Sequence, residues 1–185
     1  MDFNRLTEKV QDALRASQGI AARLSHQQVD VEHLALALLE QEAGLAEAIL
    51  KKAGVGLDAL RRKLSQELDR LPKVTNISGG ADQVYVTARL TKLFTDAEQE
   101  AKRMKDDYLS VEHVLLVIAG DNGAAGKAFR DAGLGQDRLR QVVAEIRGAH
   151  RVTSQNPEAS YQSLEKYGRD LTGMARENKL DPVIG

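Results

Sequence analysis

Asp30-Val31-Glu32-His33-Leu34-Ala35-Leu36-Ala37-Leu38-Leu39 decides the fold, because the chain returns to the same plan eighty residues later as Ser110-Val111-Glu112-His113-Val114-Leu115-Leu116-Val117-Ile118-Ala119. Asp30 and Ser110 are side chains whose oxygens accept from the open amides of a helix start, so each stretch reads as an N-cap followed by a helix. Both helices are apolar on nearly every side. Such a helix has no face to offer to water and sits in the middle of a bundle. Two of them, each opened by Glu-His, imply two bundles of one design.

Working outward, the segment from Ala53 to Arg61 returns between Ala132 and Arg140, seventy-nine residues on, and Leu6-Thr7 and Asp12-Ala13 find partners in Leu90-Thr91 and Asp96-Ala97, eighty-four residues on. Three matched stretches in one order argue for an internal duplication. Helical spacing of small and apolar residues marks a first helix in each copy: Leu6, Val10, Ala13, Leu14 and Ser17, then Leu90, Leu93, Phe94, Ala97, Ala101 and Met104. A third helix ends at Gly54 or Gly133, where glycine takes a left-handed conformation. A fourth carries Leu60, Leu64, Leu68 and Leu71, or Leu139, Val142, Val143 and Ile146. Turn formers Asn76, Ser78, Gly79 and Gly80 separate the copies. The expectation is an all-α fold: two four-helix repeats, 1–71 and 84–147, related by a pseudo-twofold axis and sharing one core within a domain 1–147. Residues 148–157 are polar and read as a flexible linker. A short helical stretch, 161–179, follows within a tail 158–185.

Composition narrows the function classes. Of 185 residues, 42% are hydrophobic and 4% aromatic, Trp and Cys are absent, and Lys+Arg 26 against Asp+Glu 27 leave a formal net charge of -1. No excess charge steers the chain to nucleic acid or anionic lipid. Without Cys there is no disulfide framework or thiolate metal site. The start lacks the apolar core of a signal peptide, and no apolar run approaches the ~18 residues of a membrane span. A cytoplasmic location is expected.

Several residues invite a functional reading beside a plain one. Glu32 and Glu112 fall in the first turns of their helices, where a carboxylate complements the helix dipole by ~0.3–1 kcal/mol; alternatively, two repeat-related carboxylates face a shared groove and hold cationic groups of a client. His33 and His113 suggest a metal or an acid–base pair with the adjacent Glu, but neighbouring residues on a helix point about 100° apart, so a structural or groove-lining imidazole fits better. His26 and His150 lie in loop-like context. Phe94 is either core or the floor of an apolar groove that captures exposed segments of unfolded chains, its first-copy counterpart being Val10. No Gly-x-x-x-x-Gly-Lys-Ser/Thr loop occurs, so nothing cradles phosphates, no catalytic residue is assigned and no metal site is expected.

The doubled four-helix unit with Glu-His opening its central helices resembles the amino-terminal domain of the Clp (Hsp100) unfoldases. Arg70-Leu71-Pro72-Lys73-Val74, the stretch from Tyr161 to Leu171 and Leu180 to Gly185 are similar to the ClpB-type disaggregase branch. The resemblance implies a substrate-engaging domain that binds unfolded or aggregated polypeptide and passes it to a hexameric AAA+ ring, in a parent protein that uses ATP and Mg and works with Hsp70-system chaperones. It places Thr7 and Asp106 on the substrate-handling surface, beside plain readings as a cap hydroxyl and a solvated loop carboxylate; Glu112, Glu32, Phe94 and His113 are the further substrate-binding candidates. It makes Asp181, Pro182, Val183, Ile184 and Gly185 a partial adenine-pocket segment, inactive alone, in a truncated, monomeric chain that needs no cofactor. The alternative it implies is an adaptor-docking or regulatory domain, as in the ClpC branch, whose matching glutamates receive phosphorylated arginine.

Overall fold

Thr7 and Thr87 each cap a sixteen-residue helix, α1 (Glu8–Arg23) and α5 (Ala88–Arg103), and from each the chain runs through the same four-helix course. The computed structural model describes residues 2–74, 84–157 and 160–161; the turn residues 75–83 and the tail, with Asp181 to Gly185, lie outside them. A 3-10 turn (Phe3–Arg5) precedes α1. The first copy continues through β1 (Gln28–Val29), α2 (Val31–Glu40), α3 (Leu45–Ala53) and α4 (Leu57–Asp69), and the second through β2 (Tyr85–Val86), α5, α6 (Val111–Gly120), α7 (Ala124–Asp131) and α8 (Gln136–Arg147). Leu71 therefore falls outside the fourth helix and is exposed, which corrects its place in the stripe.

The duplication is tighter than the residue identities suggest. Its first half repeats at eighty, not eighty-four. Ser25 and Lys105, both with left-handed backbone (φ 58° and 60°), close the turns after α1 and α5. The Leu-Thr match was a coincidence of identity, and the counterpart of Leu6-Thr7 is Val86-Thr87. By the same register Phe94 answers Leu14, not Val10. After the central helices the offset falls to seventy-nine, so that Gly54 (φ 73°) answers Gly133 (φ 80°). At both, the next residue closes the helix with a six-to-one bond, Val55 N–H to Leu50 O and Leu134 N–H to Phe129 O, each 2.9 Å.

Short parallel pairings, absent from the sequence reading, stitch the copies together. Gln28–Val29 pairs with Tyr85–Val86, and Leu6 bridges Leu109. The amide of Thr7 donates to Leu109 O at 3.0 Å, and that of Thr87 to Val29 O at 3.1 Å. Each copy thus lends its entry segment to the strand that leads into the other's central helix. Helices cross the same boundary: α2 meets α6, α3 meets α8, and α4 meets α7. The all-helical side chains Leu34, Leu38, Leu50, Leu64, Leu90 and Leu115 are fully buried in one continuous core, each contributing roughly 1.5–3 kcal/mol of transfer free energy.

Residues 148–157 have no helix, but they do not hang free as a linker reading implies. Val152 is buried; its amide donates to Asp106 Oδ1 (2.8 Å) and its carbonyl accepts from the Asp107 amide (2.9 Å). Gln155 O accepts from the Glu8 amide at 2.8 Å, and Arg151 donates to Lys105 O at 2.5 Å. The polar composition reflects hydrogen bonding to the ends of α1 and α5, with Val152 and Pro157 as buried apolar anchors. Among the described residues no helix is long and apolar enough to cross a membrane.

Candidate functional site

Asp30 caps α2, and its amide donates to His33 Nδ1 at 3.0 Å; the Ser110 amide donates to His113 Nδ1 at 2.9 Å. Both histidines stand three residues into their helices and complete a reciprocal capping box. Because Nδ1 accepts, the proton sits on Nε2 and is aimed at the turn seven residues upstream. In the second copy Nε2–H donates to Asp106 Oδ2 at 2.8 Å. In the first, its partner is His26 Nδ1 at 2.9 Å. The histidines of the two Glu-His pairs are thus capping and turn-locking residues. The His113–Asp106 pair is closed to solvent and orders a turn rather than passing protons to a substrate.

Each Glu of the two motifs has met a cation the sequence reading did not select. Glu32 is gripped by Arg89 with both nitrogens (2.6 and 3.0 Å), and its Oε1 also accepts from the Ala125 amide at the start of α7 (3.0 Å). Arg89 further binds Asp30 (3.0 Å) and Asp121 (2.7 Å). Burial works against the Arg89 charge, but bonds from Asp121 and Glu32 outweigh it and raise its pKa; Asp121 is lowered in return, its own burial overcome by Arg89. Glu112 lies 1% exposed, 3.5 Å from Arg147 Nη1, with neither oxygen hydrogen-bonded. Arg147 donates to Asp106 Oδ1 at 2.5 Å. Burial pushes Asp106 up, yet bonds from His113, Arg147 and the Val152 amide hold it down at about 2.

The expected residues therefore lie inside rather than on a common surface. Thr7, Glu32, Phe94, Asp106, Glu112 and His113 are all buried. Glu32 is closed over by α5 and α7, while Glu112 faces Leu45 and Ile49 of α3 and Val143 and Ile146 of α8. The two carboxylates do not share a groove, because each spends its charge on an arginine. Phe94, 2% exposed, packs in the core and floors no open groove. Reading missed Arg89, Arg147 and Asp121. Arg147, one position past the α8 stripe, gave a faint signal as a cation four residues from the inward Val143.

A cleft of about 710 Å³ does open beside Arg89, between α5 and the α6–α7 turn. Leu93 and Val117 supply apolar floor; Lys92, Asp96, Gln99 and Asn122 line its sides. Its charges are already matched: Lys92 with Asp96 at 2.5 Å, Arg103 with Glu100 at 3.1 Å, Arg89 with Asp121. The Lys92–Asp96 pair, the most exposed of them, contributes at most ~1 kcal/mol and exchanges readily for other partners. Among the described residues no group of three or more His, Asp or Glu is placed to hold a metal ion. The cleft thus joins a small apolar floor to charged and amide side chains.

Comparison with known proteins matches residues 5–132 to the family described as the Clp repeat (R) N-terminal domain. The chaperone protein ClpB of Bacillus cereus is 44% identical over all 185 residues, which cover 21% of that protein. ClpB of Gloeobacter violaceus is 45% identical over 182 residues, 98% of this chain and 20% of the relative. The chain thus spans about a fifth of the length of the curated relatives it matches. Among solved structures, the Hsp104 N-terminal domain of Candida albicans superposes with a TM-score of 0.71 at 19% identity, covering 83% of this chain and 98% of that one. The N-terminal domain of ClpD from Arabidopsis thaliana gives 0.58 at 21% identity, over 78% and 96%. At such identities the structural likeness speaks for the fold.

Proposed function

The chain belongs to the Clp repeat N-terminal domain family, and on that premise we propose that it is the client-engaging domain of a ClpB-type disaggregase, catching unfolded or aggregated polypeptide weakly and handing it to an ATP-driven hexameric ring. The observation that carries the reading is the α5 cleft, floored by Leu93 and Val117 and walled by ion pairs and amides that can re-pair with a passing segment. Binding there is weak because a client must displace the Lys92–Asp96 pair to reach its charges. Weak binding suits a domain that must release its client to the ring. In this reading Glu32 holds Arg89 and the start of α7 in place beside the cleft, while Thr7, Phe94, Asp106, Glu112 and His113 are buried and outside its lining. ATP and Mg, the ring and Hsp70-system partners belong to the longer protein.

The test is an NMR titration of the isotope-labelled chain with a permanently unfolded, apolar-rich polypeptide. Shifts clustered at Lys92, Leu93, Asp96, Gln99, Asn122 and Gln136 are expected, at affinities in the tens of micromolar or weaker, roughly -7 kcal/mol or less in magnitude. A spectrum unmoved at high client concentration sinks the reading.

A further inference from the structure

Each charge that lines the α5 cleft is paired, but its two ends are not balanced alike. At the start of α5 one guanidinium, Arg89, holds three carboxylates: Asp30 at 3.0 Å, Glu32 at 2.6 Å and Asp121 at 2.7 Å. At the end of α5 the ratio turns over. One carboxylate, Glu100, takes two guanidinium groups, Arg103 at 3.1 Å and Arg140 from α8. The side chains of Arg103 and Arg140 are 69% and 40% exposed against 7% for Glu100, so the surplus that meets solvent at this end is positive. Between the ends stand the matched pair Lys92–Asp96 and the apolar floor of Leu93 and Val117. We propose that the cleft selects polypeptide segments of bipolar charge: an apolar residue on the floor, a basic residue toward Asp121 and an acidic residue toward Arg103 and Arg140. The inference rests on the reading that the cleft takes client chain.

Two effects oppose this polarity, and neither removes it. The dipole of α5 sets its positive end beside Arg89 and its negative end beside Arg103, each worth about half a charge. The surplus of formal charge is larger at both ends. Arg130 also lies near Asp121, but its Nη1 donates to the backbone oxygens of Ala119 and Asp121 at the close of α6, outside the cleft's lining. Even with Arg130 counted, three carboxylates face two guanidinium groups. Spacing sets the length of the segment. Arg89 and Arg103 stand fourteen residues apart on one helix, about 21 Å along its axis. An extended chain covers that distance in roughly six residues. Opposite charges six positions apart, with an apolar residue midway, therefore meet both ends at once. A segment with two like charges brings the wrong sign to one end, and that repulsion favours its release.

Three short peptides test this by NMR titration of the isotope-labelled 185-residue chain. All carry a central leucine between two charged residues, and they differ only in those charges: lysine with glutamate, two lysines, or two glutamates. At low salt the lysine–glutamate peptide is expected to bind several-fold more tightly than either like-charged one, with shifts at Lys92, Gln99 and Asn122. In about 1 M salt, where the screening length falls to ~3 Å, the three affinities should converge. Arg103→Glu turns the surplus at its end negative while Arg140 stays on Glu100, so the fold keeps its buried pair. That variant should prefer the two-lysine peptide. Equal affinities at low salt, or a preference unchanged by Arg103→Glu, overturn bipolar selection and leave the client reading standing. No shift in the cleft from any of the three sinks the client reading itself, and this inference with it.

Discussion

His26 stands in the first copy where Asp106 stands in the second: each meets Nε2 of the histidine seven residues on, at 2.9 and 2.8 Å, but one partner is an imidazole and the other a carboxylate. A carboxylate welcomes that N–H. An imidazole can accept it only while its own Nδ1 is unprotonated, and its Nε2 is buried without a hydrogen-bond partner. Burial, and then the facing His26, depress His33 to about 4. His26 is lowered as well, first by burial and then by Lys73, with Asp69 acting in the opposite sense. Asp30 and Glu32 favour the His33 cation but do not prevail.

The sign of the pH dependence follows. The unfolded chain takes up protons at the ordinary histidine value of 6.5, and the folded one does not. Stability is therefore complete above that value and falls as pH drops toward about 4, by up to ~3 kcal/mol for His33. Urea unfolding measured between pH 7.5 and 4 checks this. His26→Asp, which copies the second repeat, should flatten the slope; a slope unchanged by it rules out the dyad as its source.

Asp106 acts in a separate window. Its folded value of about 2 lies below the ordinary carboxylate value of 3.8, so its contribution is present above 3.8 and is lost as pH falls toward 2. Asp106→Asn keeps the shape but leaves Arg147 buried beside Glu112 alone and weakens the Val152 anchor. A loss of about 3–5 kcal/mol is expected by chemical denaturation. A loss under 1 kcal/mol means that water already reaches the cluster.

The parts of this architecture that read from sequence are local and periodic. Asp30, Ser110, Gly54 and Gly133 announce helix ends within a few residues of where they act, and the stripe through Leu90, Leu93 and Phe94 shows its face by spacing alone. Legibility failed where partners come from afar. Arg89 reaches fifty-seven residues back to Glu32, and Arg147 forty-one back to Asp106. His26 looked idle because its partner is delivered by the left-handed turn at Ser25. With the repeat set at eighty, His26 falls on Asp106, and the question of what His33 faces would have been open from the start.

Arg89 is the hinge of the other charge cluster, and double substitution separates its pairing from its bulk. Arg89→Met should destabilise by ~3 kcal/mol or more, because Glu32 loses its cation while staying buried. Adding Glu32→Leu should recover much of that loss, since an apolar pair of similar size needs no partner. Thermal midpoints of Arg89→Met, Glu32→Leu and the double variant test this; additive losses in the double variant contradict it.

Gly126 provides the sharpest steric test. It lies in the first turn of α7, where a Cβ would come 2.0 Å from Asp121 O and 2.8 Å from Ile118 O. Helix propensity alone favours alanine there by up to ~1 kcal/mol. The clash is with backbone, which cannot swing aside as a side chain can, so α7 must lift from the end of α6 at a cost of about 2–3 kcal/mol. That shift would also drag Asp121 away from Arg89. Gly126→Ala should therefore lower the urea midpoint and perturb the cleft amides of Asn122 and Gly123 first. A variant as stable as the parent would mean that α7 does not approach Asp121 this closely in solution.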